Sequence, residues 1–217
     1  MLSWLIRTVQ SSIGKKALMS LTGLALIGFL FVHLAGNLTY FADSSGETFD
    51  HYAETIESNP LLPLAEGGLI VLFLVHIGMA FRVTLQNKAA RKHRYAVAAS
   101  HGGRTAGSRT MVLTGILILA FLILHLIHFR LQKDSIDSFA AAIKMELSKP
   151  LGAGAYVIGI LALGIHLSHA FKSAMQTLGL NHPKYTPILE KVGLLIAVVL
   201  TLGFLSFPIL VFMGGKA

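Results

Sequence analysis

The sequence predicts an all-α integral membrane protein, a single domain over residues 1–217 built as a bundle of five transmembrane helices with short interfacial helices. Three observations carry that reading. Apolar residues make up 54% of the 217 positions and charged ones 13%, with a mean hydropathy of +0.69. They gather in runs of about 20, the length that crosses a bilayer, and not in strand-like alternation. The basic residues behind the net charge of +8 flank those runs, which marks a topology signal and argues against a nucleic-acid surface.

In chain order, Leu2, Leu5, Ile6, Val9 and Ile13 recur at helical spacing near Trp4 and Arg7, as in a short helix lying in a membrane interface; a disordered start is the competing reading. The first apolar run, about 17–42, is too long for a secretory signal and no cleavage motif follows it, so the N-terminus is expected to remain. Spans are expected at 16–42, 61–87, 110–131, 152–178 and 188–213, each long enough to cross with some tilt.

The N-terminal segment and the loops 82–109 and 172–191 together carry thirteen basic residues against one acid, Glu190. Those segments should be cytoplasmic, which puts the N-terminus inside and the C-terminus outside. Each outer loop has an amphipathic stretch ending at a proline: Phe49, Tyr52, Ala53 and Ile56 before Pro60, then Ile136, Phe139, Ile143 and Leu147 before Pro150. Both should be short helices capping the outer face. The repeated order of span, cap and span hints at an internal duplication, structural only, because the intervening sequences differ.

Each of the first four spans keeps a histidine: His33 in FLFVHLAGNL, His76 in LIVLFLVHIGMAF, His125 in GILILAFLILHLIHF and His166 in GILALGIHLSHAF. An ionisable group at such depth is costly without a partner. At about 1.5 Å rise per residue, His33 and His125 lie roughly 10 to 14 Å below the outer ends of their spans, and His76 and His166 roughly 21 to 23 Å. One such histidine alone reads equally well as a packing residue; four at paired depths point to metal ligation. Imidazole is the usual axial ligand of haem, so the reading is two bis-histidine b-type haems, His33 with His125 and His76 with His166. With no Cys in the chain, disulfides, iron–sulfur ligation and covalent haem attachment are excluded. Gly28, Gly78, Gly115, Gly159 and Gly164 offer close approach to a flat macrocycle, or simply helix packing.

His128 and His169 stand three residues after proposed ligands, nearly on the same face; both are read as supporting residues. His51, His93, His101 and His182 fall in loops. Glu66, about one turn inside span two, is a candidate proton acceptor beside a quinone, or a carboxylate reaching interfacial water. Asn37, one turn after His33, is a candidate quinone contact or a packing residue.

The run KKALMSLTGLALIGFLFVHLAGNL, together with LVHIGMAF, LILHLIHF and GIHLSHAF at these spacings, resembles the five-helix, two-haem cytochrome b subunit of succinate dehydrogenase and fumarate reductase. The resemblance covers nearly the whole chain. It implies His33 and His125 as ligands of the outer, distal haem and His76 and His166 as ligands of the proximal one. It further implies a flavoprotein subunit with FAD, an iron–sulfur subunit docked on the cytoplasmic face against the basic loops Arg82 to Arg109 and Lys172 to Lys191, and menaquinone as the membrane quinone. The setting it implies is a bacterial cytoplasmic membrane. Two other readings compete: a di-haem anchor of a formate dehydrogenase, hydrogenase or nitrate reductase, and a haem-free transporter or proton channel using the same histidines as a relay.

Overall fold

The structure is a computed structural model that describes residues 2–89 and 106–214. His93, His101 and the basic residues of 90–105 lie outside the described residues, as do the side chains of Leu2, Leu5 and Ile6 on which the expected apolar face of the first helix rests. Among the described residues every regular element is helical: α1 (Leu2–Gln10), α2 (Ser12–Asn37), α3 (Glu47–Glu57), α4 (Leu62–Ala89), α5 (Ala106–His125), α6 (Phe139–Leu147), α7 (Pro150–Thr177) and α8 (Thr186–Phe212). Five of them, α2 with its 3-10 extension to Phe41, α4, α5 through Arg130, α7 and α8, are long and apolar enough to cross a membrane.

The boundaries follow from local chemistry. Ser11 ends α1 and starts α2: its hydroxyl donates to the Thr8 carbonyl at 2.7 Å and accepts the Gly14 N–H at 3.0 Å, satisfying an otherwise unpaired first-turn donor. Pro150 opens α7, where its missing N–H costs nothing. Gly46 adopts φ +84° ahead of α3, a left-handed turn that side chains resist. α5 does not stop at His125 but widens into a π turn over Leu126–Arg130, closed by the Leu131 N–H on the Leu126 carbonyl at 2.8 Å.

At the centre of the bundle, α7 packs against α2, α5 and α8, while α4 packs chiefly on α2. Leu200 of α8 is wholly buried, whereas α4 buries none of its residues. An apolar side chain facing lipid loses nothing by exposure, so a bundle of this kind has a thin core. Gly159 lets α7 close on Phe121 of α5; a Cβ there would run into that ring.

The two ends differ in charge. Glu190 apart, every acidic residue of the chain lies at the end carrying α3 and α6; we call it the acidic end and the opposite one the basic end. At the acidic end Asp50 of α3 accepts the Ala140 N–H of α6 at 2.9 Å, Phe49 and Leu147 are buried, and Gly36 of α2 admits the Tyr52 ring. One cap helix from each half of the chain therefore meets the other over the bundle.

Candidate functional site

Four helices bring the histidines together in two groups. Toward the acidic end the His33 and His125 rings meet edge to face with centroids 5.8 Å apart. Phe29 stacks on His33 at 5.3 Å and Phe204 of α8 stands 5.9 Å away; Phe121 and Phe129 flank His125 at 6.0 and 5.5 Å. Toward the basic end His76 of α4 meets Thr22 and Met19 of α2, and His166 of α7 meets Thr114 of α5.

The basic-end pair is held by hydrogen bonds that decide its protonation pattern. His76 Nδ1 lies 3.1 Å from the Met19 carbonyl, which can only accept, so Nδ1 carries the proton and donates it. Thr22 Oγ1 is 3.3 Å from the same nitrogen, and it gives its own proton to the Leu18 carbonyl at 2.8 Å. His166 repeats the arrangement: its Nδ1 is 3.2 Å from Thr114 Oγ1, whose proton goes to the Thr110 carbonyl at 2.9 Å. A hydroxyl already donating to its own helix accepts from the imidazole. Nε2 of each ring is then the bare nitrogen, the form that binds a metal.

The acidic-end pair is looser. Asn37 Nδ2 donates to the His33 carbonyl at 2.7 Å and lies 3.3 and 3.5 Å from the two ring nitrogens, so the amide sits over the ring and selects neither. Tyr156 Oη is 3.5 Å from His125 Nδ1 and 3.3 Å from His128 Nδ1. His128, carried by the π turn, stacks on Tyr156 at 5.9 Å and 14° and approaches Glu146 at 3.7 Å. Glu146 in turn accepts from Lys149 at 2.8 Å. A line of protonatable groups thus runs from beside His125 to the exposed Lys149. His169 lies one turn nearer the basic end than His166 on α7.

Glu66 of α4 forms a two-pronged pair with Arg130, Nε to Oε1 at 2.5 Å and Nη2 to Oε2 at 2.8 Å. Both carboxylate oxygens are committed, so taking up a proton there means opening the pair. His51 and His182 are exposed, as expected of loop residues, although His51 sits within α3.

Thr22, Thr114, Tyr156, Arg130 and Glu146 were missed by reasoning from histidine spacing. The signal for the threonines is in the sequence: Leu21-Thr22-Gly23, Phe29-Leu30 and His33-Leu34 recur in the same register as Leu113-Thr114-Gly115, Phe121-Leu122 and His125-Leu126. His76, Ala80, Phe81, Arg82 and Gln86 of α4 recur likewise as His166, Ala170, Phe171, Lys172 and Gln176 of α7. The duplication is therefore written in the sequence as well as in the architecture, a correction to the expectation that it is structural only.

Haem fits these residues in three respects. The four histidines fall into two groups, each drawn from two helices, the basic-end pair presents bare Nε2 atoms, and a Cβ built at Gly28 or Gly78 would meet no heavy atom within 4 Å. Gly159 and Gly164, by contrast, are filled by Phe121 and Thr201 and serve helix packing. No known protein family, curated protein or solved structure matches the chain.

Proposed function

We propose that the chain is the membrane-anchoring cytochrome b subunit of a succinate:quinone oxidoreductase of the succinate dehydrogenase or fumarate reductase type, in a bacterial cytoplasmic membrane with its basic end inside. One observation supports it above the rest: four histidines from four consecutive spans fall into an acidic-end and a basic-end group, the latter with both Nδ1 atoms committed to hydrogen bonds. His33 and His125 would hold the outer haem b, His76 and His166 the inner one. Bound there, the two haems supply one-electron relay between an iron–sulfur subunit and a quinone.

The chain's own residues do the rest. Thr22, Met19 and Thr114 orient the inner imidazoles, since a partner on the far nitrogen fixes tautomer and ring angle. Oxidation of a quinol releases two protons, and at the acidic end Glu66 with Arg130, and His128 with Glu146, are the groups able to take and pass them. Asn37 would be the quinone contact. The FAD subunit and iron–sulfur subunit would dock on the basic end, and succinate chemistry would belong to them.

The test is a reduced-minus-oxidised spectrum with haem quantitation on the purified chain. Two haems in wild type, with one spectral component lost in both His33→Ala and His125→Ala and the other in both His76→Ala and His166→Ala, is the expected result. A haem-free wild type despite adequate supply would overturn it and favour a proton path. Haem without co-purifying flavin would move the chain to another di-haem oxidoreductase.

A further inference from the structure

Outside the histidine levels, the basic end of α2 and α4 holds a charge that the chain does not neutralise. Lys15 is 7% exposed, and its Nζ donates to Gln86 Oε1 at 2.8 Å, a neutral amide. Arg82, one turn before Gln86 and hence on the same face of α4, lines the same cavity of about 450 Å³, closed by Gln10 and Leu85. The sequence contains no Asp or Glu in 1–42 or in 67–133, so no segment contributing to this cavity can supply an anion. Among the described residues neither cation has a carboxylate partner.

The duplication shows what is missing. Lys172 occupies the position of Arg82 in the second half, and Gln176 that of Gln86. Lys172 has its anion: Glu190, delivered by α8 at 2.5 Å. The odd fifth span compensates one half and leaves the other with two cations and none. Lys15, taken out of water without a counter-ion, is costly to bury, and a side-chain amide answers only part of that.

We propose that the Lys15–Arg82 cavity binds the phosphate of an anionic membrane lipid. Lys15 and Arg82 line one cavity and between them carry the donor set that a multi-oxygen anion takes. The cavity opens at the end of the spans, where lipid headgroups lie, and Leu85 gives an apolar wall beside the polar pocket. The leaflet facing the cytoplasm is the one rich in anionic lipid, which agrees with the charge asymmetry of the two ends. This inference rests on the chain crossing a membrane and not on its holding haem.

The test uses the full chain, purified with whatever subunits accompany it, exchanged into neutral detergent and titrated with phosphatidylglycerol, phosphatidylcholine or inorganic phosphate under native mass spectrometry. About one phosphatidylglycerol should persist per chain, with phosphatidylcholine and free phosphate much weaker. Arg82→Gln, at an exposed position, should weaken retention about five- to tenfold; Lys15→Gln should do so more, and Lys172→Gln not at all. Equal retention by wild type and Arg82→Gln overturns the proposal. So does equal binding of free phosphate, which would make the site one for soluble anions. Loss of lipid from wild type on loading with haem or on assembly with partner subunits also overturns it, by showing that a porphyrin or protein carboxylate is the natural anion.

Discussion

The two histidine pairs come from the same duplicated sequence, yet the protein supports them differently. At the basic-end pair, Thr22, Thr114 and the Met19 carbonyl tie the imidazoles to neighbouring helices. At the acidic-end pair, rings of Phe29, Phe121, Phe129 and Phe204 wedge them in place, His128 and Glu146 join His125 through Tyr156, and the Glu66–Arg130 pair lies at the same end of the bundle. Hydrogen bonds to a fixed tautomer suit a group that only passes electrons. Ionisable neighbours suit a place where protons enter or leave. The difference teaches that the two halves share the histidine register, while the groups able to carry protons gather only at the end with α3, α6 and the π turn.

Four measurements would break or sharpen that contrast. The largest effect is expected at Glu66: Glu66→Gln should keep both haems and cut quinone-linked turnover by about 10²-fold or more, the size of a general acid–base contribution, with Arg130→Gln shifting the pH profile as the freed carboxylate titrates. Unchanged turnover in Glu66→Gln would shift the proton role to the His128–Glu146 line.

Next in size, Thr114→Val should lower affinity for the inner haem by about 10-fold and raise its midpoint potential, since an imidazole that no longer donates from Nδ1 is a weaker base toward oxidised iron. The outer component should not move. Thr22→Val should do the same more weakly, because His76 keeps the Met19 carbonyl. Redox titration followed at the two spectral components checks both; equal shifts at both levels would dissolve the contrast.

Third, Gly159→Val should force α7 away from Phe121 and cost about 1–3 kcal/mol, seen as a lower melting temperature with the outer component perturbed before the inner. The smallest effect concerns Asp43. Hydrogen bonds from Thr48, Ser45 and Gly46 hold its carboxyl below its ordinary value of 3.8. A carboxyl lowered on folding contributes stability above its unfolded value and loses it as pH falls through the folded one. Amide protection in α3, taken as the exchange rate relative to that of an unstructured peptide at the same pH, should therefore be unchanged from neutrality to about pH 5 and fall only in stronger acid, modestly, because Asp43 is exposed.

Sequence reasoning located the five spans to within a few residues, since length and apolar character are set by the bilayer and read directly. The cap helices were legible for a related reason: Phe49 and Leu147 sit on the faces their period assigns. The bonds from Thr22 and Thr114 were not, because a contact between helices depends on rotation about each axis, and spacing along one chain does not contain it. His128 shows a second limit. Three residues after His125 it does share that residue's face, both rings reaching the Tyr156 hydroxyl, but neither Tyr156 nor the π turn at Leu126–Arg130 is contained in the spacing. Glu66 was legible as a carboxylate inside a span; its Arg130 partner, 64 residues away, was not.

Phe204 stands against His33 from the last helix, and Glu190 of that helix neutralises Lys172. Ribosomes make chains from the N-terminus, so α2 and α5 can be in place while the wall that closes over His33 is still unsynthesised. The acidic-end site stays open on that side until the final helix is made. Any molecule too large to pass a finished bundle has its natural moment of entry then, and truncation of α8 should be felt at His33 before it is felt at His76.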